Sequence, residues 1–281
     1  MARRVAVAIA CVLTAVALTS CGSREAEVLG TAFQNHINSA DVTVKLDVSS
    51  SEVAFGATLD GPYQSRGEHE MPAFDFKLNV AGPTPQPIDG RVISTGENWF
   101  IQYKGQTYEA GEDLIKEAER EDTTRANRSL SPAEVQKLLE DARDWFPDSE
   151  TQENATLDGE QVTRVTGKLD VEAALKDLAG LIGKRAGRKL SDKDIEGAAD
   201  VINDARFTVD VGKADGKLRR IVAHLKGDDQ QGTGTIDFSI QWKNVDKPVK
   251  ITPPASSGKS LEQLGRKLQR ELGGDSESKV S

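Results

Sequence analysis

Few residues in this 281-residue chain have the type and spacing to do chemistry. His36, His69 and His224 are far apart, and none has the His-x-x-x-His spacing that puts two imidazoles on one helix face for zinc. Glu68-His69-Glu70 sets one His between two carboxylates, which reads as a surface loop rather than a metal site. No Gly-x-Ser-x-Gly is present to lift a serine onto a nucleophile elbow. Ser256-Ser257-Gly258-Lys259-Ser260 shares its last residues with a phosphate-binding loop, but Pro253 stands where the first Gly belongs and no strand runs into it. Asp228-Asp229 and the group Asp192, Asp194 and Glu196 lack the alternating oxygen ligands of a calcium loop. Lys184, Arg185, Arg188 and Lys189 gather near Gly180 and Gly187. They read as cations at the negative end of a helix, with a contact for anionic lipid headgroups as the sharper alternative. No catalytic residue, metal site or cofactor is therefore expected, and a secreted hydrolase is the weakest reading. The residue that remains is a thiol, Cys21.

Cys21 follows Arg3-Arg4, an apolar or small stretch from Val5 to Thr19, and then Ser20. A basic start, a short apolar run and small residues at the cut make a secretory signal peptide. At 1.5 Å per residue the run is too short to span a ~30 Å hydrocarbon core comfortably. Leu18-Thr19-Ser20-Cys21 resembles a bacterial lipobox, in which small residues let the processing enzymes reach the thiol. The resemblance implies that Cys21 becomes the mature N-terminus and carries a diacylglyceryl thioether, with palmitate-type chains. Cys11 would leave with the signal, so the mature chain would hold no free thiol, as suits an extracytoplasmic site. Losing Arg3 and Arg4 leaves 34 basic residues against 45 acidic, a net charge of −11. That balance argues against a nucleic-acid partner, which needs a basic face to displace counterions from phosphate. Acyl chains gain ~0.8 kcal/mol per buried methylene, so they could hold even an acidic protein at a membrane.

The elements that follow alternate between two periods. A tether through residue 30 leads into an amphipathic helix with Ala26, Leu29, Phe33, His36 and Ile37 at helical spacing. Two-residue alternation then marks Val42 to Val48, Val53 to Leu59 (stopped by Asp60-Gly61-Pro62) and Phe74 to Val80. Arg91 to Thr95, Trp99 to Tyr103 and Gln106 to Ala110 are joined by turn signals. Helices are expected over Glu112 to Arg120 and from Ser131 to Pro147, where Ser131-Pro132-Ala133-Glu134 makes a capping box. Strands Thr151 to Leu157 and Glu160 to Leu169 flank Asp158-Gly159, a strong hairpin signal. Asp170 and Ser191 cap two further helices, the first carrying Leu175, Leu178 and Ile182. Arg206 to Val211, Lys217 to Lys226 and Gly234 to Asn244 close the pattern, and Leu261, Leu264, Leu268 and Leu272 form a weak helix expected to be loosely attached.

Tight turns force antiparallel neighbours, and one-sided alternation means one covered face. The expected fold is α+β: a large curved antiparallel sheet, a half-barrel of about eleven strands, with helices packed on the concave face. The expected division is a signal peptide over 1–20, a tether over 21–30, one lipid-binding domain over 31–252, and a Pro/Ser-rich tail with a weak helix over 253–281. The lipobox, the long meander, and the segment from Asp158 through Glu160-Gln161-Val162-Thr163-Arg164-Val165-Thr166-Gly167-Lys168-Leu169 to Asp170, running into a helix, resemble the actinobacterial lipoproteins of the LppX/LprG type. Those are in turn similar to the LolA/LolB carriers. The resemblance covers roughly Glu25 to Thr252 and implies a half-barrel whose roofed concave face holds the acyl chains of a lipid or lipoglycan. The tail that follows Pro253-Pro254 departs from that pattern.

A wide sheet has more inner face than a few short helices can fill, and a large apolar void is costly when empty. The candidate lining is Phe55, Phe74, Phe76, Trp99, Ile101, Tyr103, Phe238, Ile240 and Trp242, facing Leu175, Leu178 and Ile182. The leading expectation is a lipid-anchored protein on the extracytoplasmic face of the cell membrane. It would be no enzyme, and it would bind acyl chains for transfer or presentation, with a membrane transporter left open as a partner. The alternative is an envelope lipoprotein with a filled core that serves as an interaction or structural module.

Overall fold

The computed structural model describes residues 24–51, 53–67, 70–82, 87–111, 145, 148–176, 191–229, 232–255 and 259–272. The alternating segments form β1 (Ser39–Ser49), β2 (Ala54–Gln64), β3 (Ala73–Ala81), β4 (Ile88–Thr95), β5 (Trp99–Tyr103), β6 (Gln106–Glu109), β7 (Ser149–Leu157), β8 (Glu160–Lys168), β9 (Ile202–Gly212), β10 (Leu218–Asp229) and β11 (Gly232–Lys243). All eleven lie in one sheet, in the order β6-β5-β4-β3-β2-β1-β11-β10-β9-β8-β7. Every neighbouring pair is antiparallel. The sheet does not close on itself, so the expected half-barrel is the observed fold. Among the described residues three helices accompany it, α1 (Arg24–Gln34), α2 (Asp192–Ala199) and α3 (Leu261–Leu272), and residues 171–176 belong to a further one. No described helix is long and apolar enough to cross a membrane.

Register gathers the apolar residues of distant strands on one face. Val44, Leu46 and Val48 of β1 stand opposite Ile240, Phe238 and Ile236 of β11 and opposite Leu59, Ala57 and Phe55 of β2. The face continues through Leu78, Phe76 and Val92 to Ile101 and Tyr108 on one side. On the other it runs through Ile221 and Ala223 to Val209, Phe207 and Val165. The reverse face of the same central strands presents Asp41, Lys45, Asp47, Asp60, Lys243 and Asp237, the charged half of the alternation. A one-residue slip anywhere would exchange the two sets.

Four local features depart from the sequence reading. First, β2 does not stop at Asp60-Gly61-Pro62 but runs through it to Gln64. Pro62 has no N–H, and the β2–β3 ladder skips Gly61 and Pro62, so the missing donor falls where no bond is made. Second, residues 24–30, expected within a tether, are helical, and Leu29 is buried. Third, Ile93 and Phe100 sit side by side on the outer face yet are buried. Val92-Ile93 and Phe100-Ile101 are apolar on both faces of their strands, the pattern of a doubly covered strand. Fourth, α3 is docked rather than loose, with Leu264 buried. The Asp158-Gly159 hairpin forms as expected, with φ of 50° and 85° at its two central residues. Most of the two expected helices between β6 and β7 lies outside the described residues. Trp145, from that stretch, is fully buried, and its carbonyl accepts the Asp170 N–H at 2.8 Å.

A Cβ at Gly61 would sit 2.0 Å from the Asp75 carbonyl oxygen, whereas a Cβ at Gly197 in α2 would meet nothing. Gly61→Ala is expected to destabilise by about 1–3 kcal/mol, and Gly197→Ala to stabilise by up to ~1 kcal/mol. Urea unfolding of both variants checks this; a Gly61→Ala midpoint at or above wild type contradicts the close approach.

Candidate functional site

The two ends of the inner face are plugged by helices. At the β8–β11 end, Leu29 and Ala32 of α1 pack on Val165, Phe207, Val209, Val211, Leu218 and Ile221, with Ile240 and Trp242 alongside. Leu29 and Ala32 are three residues apart, one helical ridge facing one apolar sheet. At the β4–β6 end, Leu261 and Leu264 of α3 pack on Tyr103, Tyr108, Ile88 and Ile101. Lys104 and Lys267 place their Nζ atoms 5.3 and 5.5 Å from the centre of the Tyr103 ring, so the ring carries a cation from the sheet and one from the helix. The Glu109 N–H donates to the Lys259 carbonyl at 2.8 Å, and Ser260 forms a parallel bridge with Glu109, extending the β6 edge.

Between these plugs the inner face is half-buried. Leu46, Val48, Phe55, Leu59, Phe74, Phe76, Leu78, Ile236 and Phe238 are neither fully covered nor fully exposed. Phe74 and Phe76 stack at 4.9 Å between centroids. Of the expected lining, register therefore brings Phe55, Phe74, Phe76, Trp99, Ile101, Tyr103, Phe238, Ile240 and Trp242 to one face. Their roles divide, however: Tyr103 and Ile101 meet α3, Ile240 and Trp242 meet α1, and Trp99 is 37% exposed at the strand end. Leu175 is buried in a separate cluster with Ile195 and Val171. Leu178, Ile182, Cys21 and the basic group at Lys184 to Lys189 lie outside the described residues. Asp170 caps its helix as expected, its Oδ1 accepting the Ala173 N–H at 2.9 Å.

A cleft of about 290 Å³ opens at one rim, lined by Lys168, Asp170, Glu172, Asp200, Asn203 and Asp204 among others. It is a polar notch, distinct from the apolar space expected between sheet and helices. Displaced titrations lie elsewhere, and each has a structural cause. Hydrogen bonding to Asp75, at 2.5 Å from both Nε and Nη2, raises the Arg91 pKa. Burial pushes Arg219 down, but its bonds to Glu160 and Asp215 outweigh that and leave it raised. Lys243 lowers Asp158, and Thr233 with Asn203 lowers Asp228. The fully buried Asp210 accepts from Arg164 at 2.6 Å and Arg220 at 2.8 Å, tying β8, β9 and β10 together on the outer face. None of these groups lines the cleft, and no metal-holding group of His, Cys, Asp and Glu occurs among the described residues. The sequence reading missed Asp210 and Arg219, because carboxylates and arginines are too numerous for pairing to be read without register.

No protein-family model and no curated protein matches the chain. Among solved structures it is similar to the Mycobacterium tuberculosis lipoprotein LppX, with 13% identity, 80% of this chain and 97% of that one covered, and a TM-score of 0.40. It is also similar to LprF from Mycobacterium bovis, with 16% identity, coverages of 78% and 90%, and a TM-score of 0.42. A DUF1329 family protein from Desulfovibrio piger aligns with 8% identity, coverages of 81% and 91%, and a TM-score of 0.22. At such identities no residue's role passes from those proteins to this one.

The chain leaving β11 is fastened by Asp246, which pairs with Lys217 and accepts the Asn38 N–H at 2.9 Å. Its carboxyl titrates below the usual Asp value, chiefly through Lys217. A lowered folded-state value means the clamp contributes fully above the ordinary carboxylate range, about pH 4, and fades as pH falls through it. Asp246→Asn should therefore destabilise more at about pH 6 than at about pH 3.5. Chemical denaturation of both proteins at the two values checks this; an equal deficit at both contradicts it.

Proposed function

We propose that the protein is a lipoprotein held by Cys21 on the extracytoplasmic face of the cell membrane. Acyl chains of a lipid or lipoglycan bind on the inner face of its sheet, for transfer or presentation in the envelope, with no covalent chemistry. The observation that carries this reading is the division of the inner face. Its ends are filled by α1 and α3, while its middle, around Leu46, Phe55, Phe76 and Phe238, stays half-buried and wholly apolar. Hydrocarbon suits such a strip. Each methylene taken from water gains ~0.8 kcal/mol, and aliphatic and aromatic side chains accept it without leaving a polar group unpaired. A headgroup would stay at the rim, where the turns are polar. Leu178 and Ile182 belong to this proposal as the roof over the strip. The Leu-Thr-Ser-Cys motif supplies the address, and a membrane-tethered carrier meets its cargo in the bilayer that holds it.

Protein purified from its own envelope should carry acylated molecules detectable by native mass spectrometry. Phe76→Asp and Phe238→Asp should each weaken uptake of a fluorescent phospholipid by about tenfold or more, since a buried Phe contributes ~1.5–3 kcal/mol. Lys45→Glu, on the outer face, should leave uptake unchanged. Absence of any co-purifying lipid together with no uptake overturns the reading and favours a filled interaction module.

A further inference from the structure

Resting on the reading of Cys21 as the lipid anchor, we infer that the edge strand β7, with the first turn of α1, is the surface turned toward the bilayer. The α3–β6 end then stands away from it. The argument is one of reach. Two residues, Gly22 and Ser23, separate Cys21 from Arg24, and fully extended chain covers at most about 3.6 Å per step, so over three steps the acylated residue stays within roughly 11 Å of the start of α1. That start is fixed to β7. Arg24 pairs with Glu153, and the Thr151 hydroxyl donates to Glu25 Oε1 at 2.8 Å. One turn later Leu29 and Ala32 are buried in the sheet, so α1 has no freedom to swing outward as a longer tether.

β7 is an edge of the sheet, and β6 is the other edge, ten strand spacings away. At about 4.8 Å per spacing the two edges are about 48 Å apart measured along the sheet, and, bent into a half circle, about 30 Å apart through space. An anchor at one edge therefore orients the whole molecule. Electrostatic attraction does not draw this surface to an anionic membrane, because Glu27 and Glu150 are exposed beside it. The edge is also poorly suited to pairing with another strand, since the β7–β8 ladder is irregular between Gln152 and Ala155. A lipid surface held by the acyl group is the partner that fits.

The test uses the full lipidated protein in phosphatidylcholine vesicles containing a headgroup nitroxide quencher. A fluorophore is placed by Gln152→Cys on β7 or by Glu262→Cys on α3, both exposed positions. Quenching should be strong at residue 152 and near background at residue 262. Inserting about twenty Gly/Ser residues between Ser23 and Arg24 should bring residue 152 down toward the level of residue 262, because a flexible linker of that length spans roughly 25 Å on average. Equal quenching at the two sites, stronger quenching at residue 262, or a contrast that survives the linker overturns the orientation. Mass analysis of the N-terminal peptide from the same sample separates the two failures. An unmodified Cys21 overturns the anchor reading and this inference with it, whereas a modified Cys21 without contrast overturns the inference alone.

Discussion

The pairing of β1 with β11 is the constraint on which the architecture depends. Nine residue pairs, from Asp41 with Lys243 to Ser49 with Thr235, join segments nearly the whole described chain apart. Without them the sheet would fall into two meanders, β1–β6 and β7–β11, each with a long central strand left as an open edge. All other sheet neighbours are consecutive in sequence, so they form by closing comparatively short loops. The one distant pairing closes a far longer loop and so carries the largest loop-closure cost in assembling the sheet.

Once that pairing is made, the inner face becomes continuous, and its coverage becomes the functional question. α1 covers the β7–β11 side and α3 the β4–β6 side. The strip between them is centred on the junction itself, where Leu46 lies between Phe238 and Ala57. The same registration that closes the fold thus creates the half-buried apolar surface on which the carrier reading stands. The outer face carries the opposing chemistry. Asp210 bridging Arg164 and Arg220, and Arg91 forked onto Asp75, lock strands together without adding apolar surface to the solvent side.

Much of this was legible in the residues because period two is a local signal. Val42, Val44, Leu46 and Val48 announce both a strand and its covered face, and Asp158-Gly159 announces its hairpin. The face shared by Phe55, Phe76 and Phe238 could be anticipated for the same reason. Features settled by distant partners could not. Pro62 reads as a stop until the gap in the β2–β3 ladder shows that its missing N–H is not needed. Leu264 reads as one leucine of a weak helix until Tyr103 and Tyr108 lie beneath it. Arg24 to Gly30 reads as a tether although Ala26 and Leu29 keep helical spacing, and the burial of Leu29 with the β7 contacts to Arg24 and Glu25 makes it part of the domain.

The carrier reading is tested most directly by asking which residues touch hydrocarbon. Photo-crosslinking the full protein with a fatty acid bearing a diazirine near its terminal methyl, followed by peptide mapping, reports those contacts. The account predicts adducts concentrated in β1, β2, β3 and β11, on peptides carrying Leu46, Phe55, Phe76 and Phe238. Adducts confined to outer-face peptides, or spread at the level of an unrelated soluble protein, would contradict it.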